Sequence, residues 1–335
     1  MNREEIKALL SVDDTDVLKA LFQAARDVRR RYFGDKVFTY GFVYFSTFCR
    51  NNCSFCHYRR DNSAERYRKS AEEVAVLAGE LEDSGVNLVD LTMGEDIKMY
   101  VNRYRGLIDV IEKVRASVSV PIMLSPGAVS EHVFPLIREA GADWFACYQE
   151  THNHELFSRT RTEQDYRFRS DQRRWARENG MFAEDGIMVG IGETCDDVAD
   201  SVVQMGAQGC EQMRVMTFVP QTGTPMYSSS RKDRINELRT MAVMRLAYPD
   251  RLIPASLDVE GISGLMPRMN AGANVVTSIV PPHTDLAGVA QKELDINNGM
   301  RSLHHVADIL EREGYSIGSG NEYTNVLKRF RAAVA

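Results

Sequence analysis

Three cysteines stand within eight residues in the stretch Phe48-Cys49-Arg50-Asn51-Asn52-Cys53-Ser54-Phe55-Cys56-His57-Tyr58. Thiolates spaced by four and three residues can wrap one face of a compact metal centre. Three protein ligands leave a position open, which in a cubane iron–sulfur cluster frees one iron to bind something else. The competing chemistry is a closed tetrahedral zinc site made by Cys49, Cys53, Cys56 and His57. A second group of interest lies far along the chain. Arg214 sits inside the strand-like run Gln212–Phe218, while Asp96, Ser256 and Asp258 stand at the ends of two other such runs. A guanidinium in a covered strand either snorkels or turns inward to a partner, because an unpaired charge in the interior is very costly.

The elements that must position these groups repeat one pattern from residue 70 onward: an amphipathic stretch, a glycine, then a short apolar run. The runs follow Gly85, Gly141, Gly180, Gly209 and Gly272. Glycine suits the left-handed cap that ends a helix. Ser70-x-x-Glu73 is a capping box that opens a helix to Asp83, and Leu107, Ile108, Ile111 and Val114 form one apolar helical face. Pro121–Leu124 and Leu252–Leu257 add two strands marked by proline, and Tyr40–Phe45 makes eight. Eight strands alternating with helices, without a linker, predict an α/β fold of the (β/α)8 TIM-barrel type. The barrel spans residues 37–335 as one domain. Residues 1–36 form an N-terminal helical layer with Leu9, Leu10, Val17, Leu18, Leu21 and Phe22 as its apolar face, and the tail after Gly314 reads as loop and a last helix. The cysteine loop follows the first strand directly, on the face where barrel enzymes keep their active sites. A barrel of this size needs no metal staple, and structural zinc sites usually come as paired knuckles, which argues against the zinc reading.

Composition limits the alternatives. Of 335 residues 44% are hydrophobic and 26% charged, with 41 Lys+Arg against 47 Asp+Glu and a formal charge of −6. That balance gives no electrostatic footprint for nucleic acid. No apolar run reaches the roughly 20 residues of a membrane span, and the start Met1-Asn2-Arg3-Glu4-Glu5 lacks the order of a signal peptide, so a cytoplasmic location is expected. Six cysteines are too few for a disulfide scaffold at this length.

Cys49-x3-Cys53-x2-Cys56, with Phe55 before the last cysteine, resembles the signature of radical S-adenosylmethionine (SAM) enzymes, and the similarity extends over the barrel. The resemblance implies a [4Fe–4S] cluster on the three cysteines, SAM chelated by the fourth iron, and hydrogen abstraction by a 5′-deoxyadenosyl radical. Thr92-Met93-Gly94-Glu95-Asp96 resembles the glycine–glutamate motif that receives the SAM ammonium. Glu150 resembles the carboxylate that holds the ribose hydroxyls. Arg169 matches the arginine that pairs with the SAM carboxylate in the biotin-synthase-like branch, with Arg167 as the alternative. Gly186-Ile187-Met188-Val189-Gly190 resembles the motif lying against adenine, with Met188 and Val189 as its contacts, and the backbone of Tyr58 is expected at the adenine edge.

With Arg214 positive and Asp96 and Asp258 negative, the cavity is expected to carry about −1 and to suit one carboxylate with two ammonium groups, a diamino acid such as lysine. Tyr44–Thr47, Asp90–Asp96, Ser256–Val259 and Ala271–Pro282 resemble the methylornithine synthases of the pyrrolysine pathway. That resemblance implies a lysine mutase that forms (3R)-3-methyl-D-ornithine by side-chain fragmentation and recombination. It also implies that Asp96, Arg214, Ser256 and Asp258 bind the amino acid, and that a flavodoxin or ferredoxin supplies electrons to a monomeric enzyme. His57 departs from the second aromatic expected after the cluster. Three other readings compete with it. A maturase of iron-only hydrogenase shares the branch. Biotin synthase needs a second cluster, for which only Cys147 among the remaining cysteines lies near. A zinc-stabilised binding protein would be colourless where an iron–sulfur protein is brown.

Overall fold

All eight apolar runs form parallel strands in the computed structural model, which describes residues 1–229, 233–281 and 299–332. They are β1 (Lys36–Ser46), β2 (Leu88–Met93), β3 (Ile122–Ser125), β4 (Trp144–Ala146), β5 (Phe182–Val189), β6 (Gln212–Thr217), β7 (Pro254–Ser256) and β8 (Val275–Ile279). The sheet runs β6-β5-β4-β3-β2-β1-β8-β7. Between β6 and β7 the ladder shrinks to one bridge, Gln212 with Leu252, at the N-terminal end of β6. Pro282, at the end of one motif above, and the final three residues of the barrel lie outside the described residues.

Strand alternation sorts the side chains into two layers. Val37, Val43, Phe45, Val89, Leu91, Ile122 and Leu124 pack against the helices, whereas Phe38, Tyr40, Phe42, Tyr44, Leu88, Met123, Trp144 and Phe182 fill the barrel. Continuing the inward phase along β2, β5, β6 and β8 reaches Asp90, Glu184, Arg214 and Thr277. A polar layer therefore lies on the apolar filling.

The N-terminal layer is two helices, α1 (Arg3–Leu10) and α2 (Thr15–Phe33). Asp14 starts the second by accepting from the backbone N–H groups of Asp16 and Val17 at 2.9 and 3.0 Å. The apolar face consequently does not run on in one phase. Leu10 and Leu21 are buried and Leu9, Leu18 and Phe22 pack on the core, but Val17, expected on that face, is 47% exposed. Around the barrel follow α3 (Ala71–Ser84), α4 (Ile97–Ser117), α5 (Phe134–Glu139), α6 (His154–Thr160), α7 (Tyr166–Glu178), α8 (Cys195–Ala207), α9 (Ile235–Ala247), α10 (Leu265–Asn270), α11 (Leu303–Arg312) and α12 (Gly320–Ala332). The Ser70–Glu73 capping box opens α3, and Gly85 ends it in the left-handed region. No helix of the described residues is long and apolar enough to cross a membrane.

The tail does more than end the chain. A short strand β9 (Ser316–Ile317) pairs with the start of β1. Helix α12 then adds Tyr323, Val326, Leu327 and Phe330 to the cluster inside the barrel, and the Tyr323 and Tyr40 hydroxyls meet at 2.6 Å. Since Phe38 and Tyr40 belong to the beginning of β1, this helix closes the end of the barrel opposite the cysteine loop. Truncating Tyr323 to Ala should destabilise the protein by about 3–5 kcal/mol, the range for removing a buried aromatic ring. Urea unfolding reads this as a lower midpoint at similar slope. A midpoint equal to the parent's would show that α12 is not part of the core.

Candidate active site

Above the polar layer, at the C-terminal ends of the strands, lies a cavity of about 210 Å³. Cys49, Cys53 and Cys56 line it together with Gly94, Glu95, Glu150, Arg169, Arg214, Ser256 and Asp258. The cysteine loop has little regular structure, so its backbone polar groups need other partners. Arg66 supplies many of them, donating to the carbonyls of Thr47, Tyr58 and Arg59. Ser54 N–H bonds the Thr160 carbonyl at 2.8 Å. The loop also rests on Gly94, where a Cβ would fall 2.3 Å from the Phe48 carbonyl oxygen, so the chain crosses there only over glycine. Burial, before any other cause, pushes the Cys49 thiol up to about 11, and burial plus the two neighbouring cysteines raises Cys56 as well. Free thiolates of Cys49 and Cys56 are thus disfavoured, whereas a cationic centre would release their protons on binding. His57 does not line the cavity, and its ring lies 6.2 Å from that of Tyr58.

The residues matched to the SAM motifs gather on one side. Glu95 is held by Arg50 at 2.9 Å, the Ala128 N–H at 3.0 Å and Arg169 at 3.3 Å. Gly127 permits that seat, since its Cβ would fall 2.2 Å from Glu95 Cγ. Arg169 is buried against the cavity with its Nε on the Tyr148 carbonyl at 2.7 Å, while Arg167 is exposed. Glu150 sits in the left-handed region, φ 67°, a strained conformation for a residue with a side chain. One of its oxygens takes Arg161 at 2.6 Å, and the other is buried without a partner. Tyr58, Met93 and Met188 line the cavity. Val189 does not: it packs between the sheet and the helices, one step out of phase with Met188. The sequence reading missed Arg161, which joins the site through the turn after α6 and carries no motif.

The floor differs from expectation in two ways. Asp96 does not face the cavity, because the chain has left β2 there. It caps α4 through the Lys98 N–H at 3.0 Å, takes Arg68 at 2.5 and 2.8 Å, and accepts from Ser46 at 2.7 Å. The inward carboxyl of that strand is Asp90, which accepts from Thr92 at 3.0 Å and Ser125 at 2.8 Å, both cavity residues. Burial first, and repulsion from Glu184 after it, push the Asp90 carboxyl up to about 7. Second, Arg214 is not the sole charge beside its strand. Its Nε meets Glu184 at 2.7 Å and its Nη1 the Thr277 hydroxyl at 2.9 Å. Asp258 is likewise paired, with Arg301 at 2.7 Å and the Tyr44 hydroxyl at 2.8 Å. Ser256 lies 3.5 Å from Ser278, another left-handed residue of the cavity wall. Three buried atoms of the polar layer have no hydrogen-bond partner, Asp90 Oδ2, Glu184 Oε2 and Arg214 Nη2; of the three residues Arg214 lines the cavity, and Asp90 and Glu184 sit in the layer beneath it.

Of the other cysteines, Cys147 lines the cavity, Cys195 is exposed, and Cys210 is buried at the opposite end of β6.

Residues 43–204 match the model of the Radical SAM superfamily. The 3-methylornithine synthase of Methanosarcina acetivorans is 40% identical over 98% of this chain and 93% of its own length. The [FeFe] hydrogenase maturase subunit HydE of Thermotoga maritima is 31% identical over 82% of this chain and 79% of its own. A crystal structure of methylornithine synthase (PylB) superposes with a TM-score of 0.92 at 40% identity, covering 97% of this chain and 96% of that one.

The raised Asp90 carboxyl has a consequence for stability. Below about pH 4 folded and unfolded chains both hold the proton. As pH rises from there the unfolded chain releases its proton first, so stability falls until the folded carboxyl also ionises near 7. Asp90→Asn should remove up to about 1.4 kcal/mol of that fall per pH unit. Urea unfolding of parent and variant from pH 4 to 8 measures it, and parallel profiles would place Asp90 in a solvated environment.

Proposed function

The chain belongs to the radical SAM superfamily and, within it, to the 3-methylornithine synthases, and from that premise we propose how this cavity isomerises lysine to 3-methylornithine. Cys49, Cys53 and Cys56 would hold a [4Fe–4S] cluster, which with SAM supplies hydrogen abstraction by a 5′-deoxyadenosyl radical once an external donor such as a flavodoxin or ferredoxin delivers an electron. The open oxygen of Glu150 suits a ribose hydroxyl, while Arg161 fixes the other oxygen. Arg169 would take the SAM carboxylate, the Gly94-Glu95 backbone its ammonium, and Tyr58 with Met188 the adenine.

Lysine occupies the remaining floor. The unpartnered atoms of the polar layer carry this reading: Arg214 Nη2, at the cavity wall, offers a donor to the carboxylate, and Asp90 Oδ2 and Glu184 Oε2, one layer deeper, offer acceptors to an ammonium. Buried polar atoms left unmade in the free protein are satisfied when a zwitterion of matching sign pattern enters. Ser256 and Asp258 line the same space and complete the amino-acid site. Because Glu184 and Thr277 already hold the Arg214 fork, little ordering remains for the substrate to impose.

An anaerobic incubation with SAM, reductant and lysine tests the reading. The product has the mass of lysine, so it is identified by chromatographic separation and fragmentation. SAM cleavage stimulated by lysine without a new isomer would refute the mutase assignment. Arg214→Lys keeps the charge but loses the planar fork, and lysine binding should weaken by about 1.5–3 kcal/mol with SAM binding nearly unchanged. Calorimetry with each ligand decides; equal lysine affinity would make Arg214 a structural ion pair.

A further inference from the structure

The three cluster cysteines do not have equivalent surroundings. Cys49 accepts a backbone N–H from Asn51 at 3.4 Å, and Cys56 is faced by the backbone N–H of Tyr58. These donors lie two residues further along the loop, and Cys49 is also faced by the backbone N–H of Glu95, so every donor to these two sulfurs is a main-chain group. Cys53 instead receives two side-chain donors from a different part of the chain, Gln164 Nε2 at 3.0 Å and Arg161 Nη1 at 3.5 Å.

The orientation of the Gln164 amide is dictated by its neighbours. Its oxygen lies 3.5 Å from Arg161 Nη1 and 3.4 Å from Arg169 Nη1. Two guanidinium donors on one end leave the NH2 group for the sulfur. Cys53 is thus approached by one neutral and one cationic donor, both fixed before any cluster binds.

We propose that Gln164 and Arg161 are positioning residues that set the reduction potential of the cluster through hydrogen bonds to Cys53. The proposal rests on the cluster assignment made above and deepens it. In the 2+/1+ couple an external donor adds one electron, and the extra negative charge is shared with the thiolate ligands. An N–H aimed at a ligand sulfur stabilises the reduced form more than the oxidised one, so it raises the potential. Arg161 adds its positive charge in the same direction. Arg161 also holds Glu150, whereas no Gln164 contact reaches Glu150, which makes Gln164 the cleaner probe.

Gln164→Leu removes the donor and keeps the volume, which matters because Gln164 also lines a second cavity of about 310 Å³ from which water would otherwise replace the amide. Thr162→Val is the control: the Thr162 hydroxyl donates to the Asn52 carbonyl at 2.9 Å in the same loop and not to a sulfur. Both variants and the parent are reconstituted anaerobically, their iron is counted, and the reduced cluster is followed by electron paramagnetic resonance in a mediated potential titration without lysine. At a fixed potential Gln164→Leu should show about a tenfold lower ratio of reduced to oxidised cluster, equivalent to about 59 mV for a one-electron couple, and Thr162→Val should match the parent.

A ratio within about twofold of the parent in Gln164→Leu would overturn the proposal. So would an equal shift in Thr162→Val, or iron loss in Gln164→Leu, since either would make the contact a prop for the loop. A parent that takes up iron but makes no lysine isomer would refute the substrate reading and leave this one standing. A parent that binds zinc would refute the cluster itself before any variant is compared.

Discussion

A guanidinium inside a barrel is tolerable only when its charge and its donors are met, and the Arg214–Glu184 pair is how this chain meets that condition. The two side chains come from neighbouring inward positions of β5 and β6, and Thr277 of β8 fixes a second nitrogen across the barrel. Replacing such a pair by packed apolar groups is often neutral or stabilising, so fold stability alone gives little reason to keep it. What the arrangement does supply is a rigid fork with one nitrogen still open, beside carboxyl oxygens in the same condition. The apolar filling and α12 close the barrel below that layer.

A similar logic governs the loop above. Its backbone lacks ladder partners, and Arg66 and the Thr160 carbonyl substitute for them, so the loop has a fixed shape without regular structure. Gly94 and Gly127 then let that loop and the Glu95 carboxylate approach at distances no side chain would allow. The cysteine loop and the Glu95 side of the cavity are in this way tied to the same strand ends.

Much of this was legible in the sequence because the informative signals were local. A glycine after an amphipathic stretch marks a helix end wherever the helix sits, and the cysteine spacing is a property of eight consecutive residues. The strands and their order in the chain followed. Asp96 adjoins the Thr92-Met93-Gly94-Glu95 motif, but adjacency does not fix direction, and the chain has turned into a helix there. Period-two alternation points instead to Asp90 through Leu88-x-Asp90-x-Thr92, and to Glu184 through Phe182-x-Glu184-x-Gly186-x-Met188. Val189 fails for the same reason, one residue out of phase. Arg161 and Gln164 had no such signal, since their roles arise from the tertiary approach of the turn after α6 to Cys53. Val17 was lost to a cap: Asp14 restarts the helix and with it the phase.

The corrected floor also changes what kind of selectivity the cavity has. Counting Arg214, Asp96 and Asp258 gave a negative excess spread over the cavity, a property that any cation would satisfy. In the structure Asp96 is neutralised by Arg68, Asp258 by Arg301 and Glu184 by Arg214, each within hydrogen-bond distance. The excess is left on Asp90, the carboxyl whose own ionisation is held near neutrality by burial. Under the proposed reading, an ammonium arriving there favours the carboxylate and is favoured by it, whereas an uncharged side chain gains nothing from that ionisation. On the same reading, recognition depends on where each charge of the ligand falls relative to the open donor of Arg214 and the open acceptors of Asp90 and Glu184.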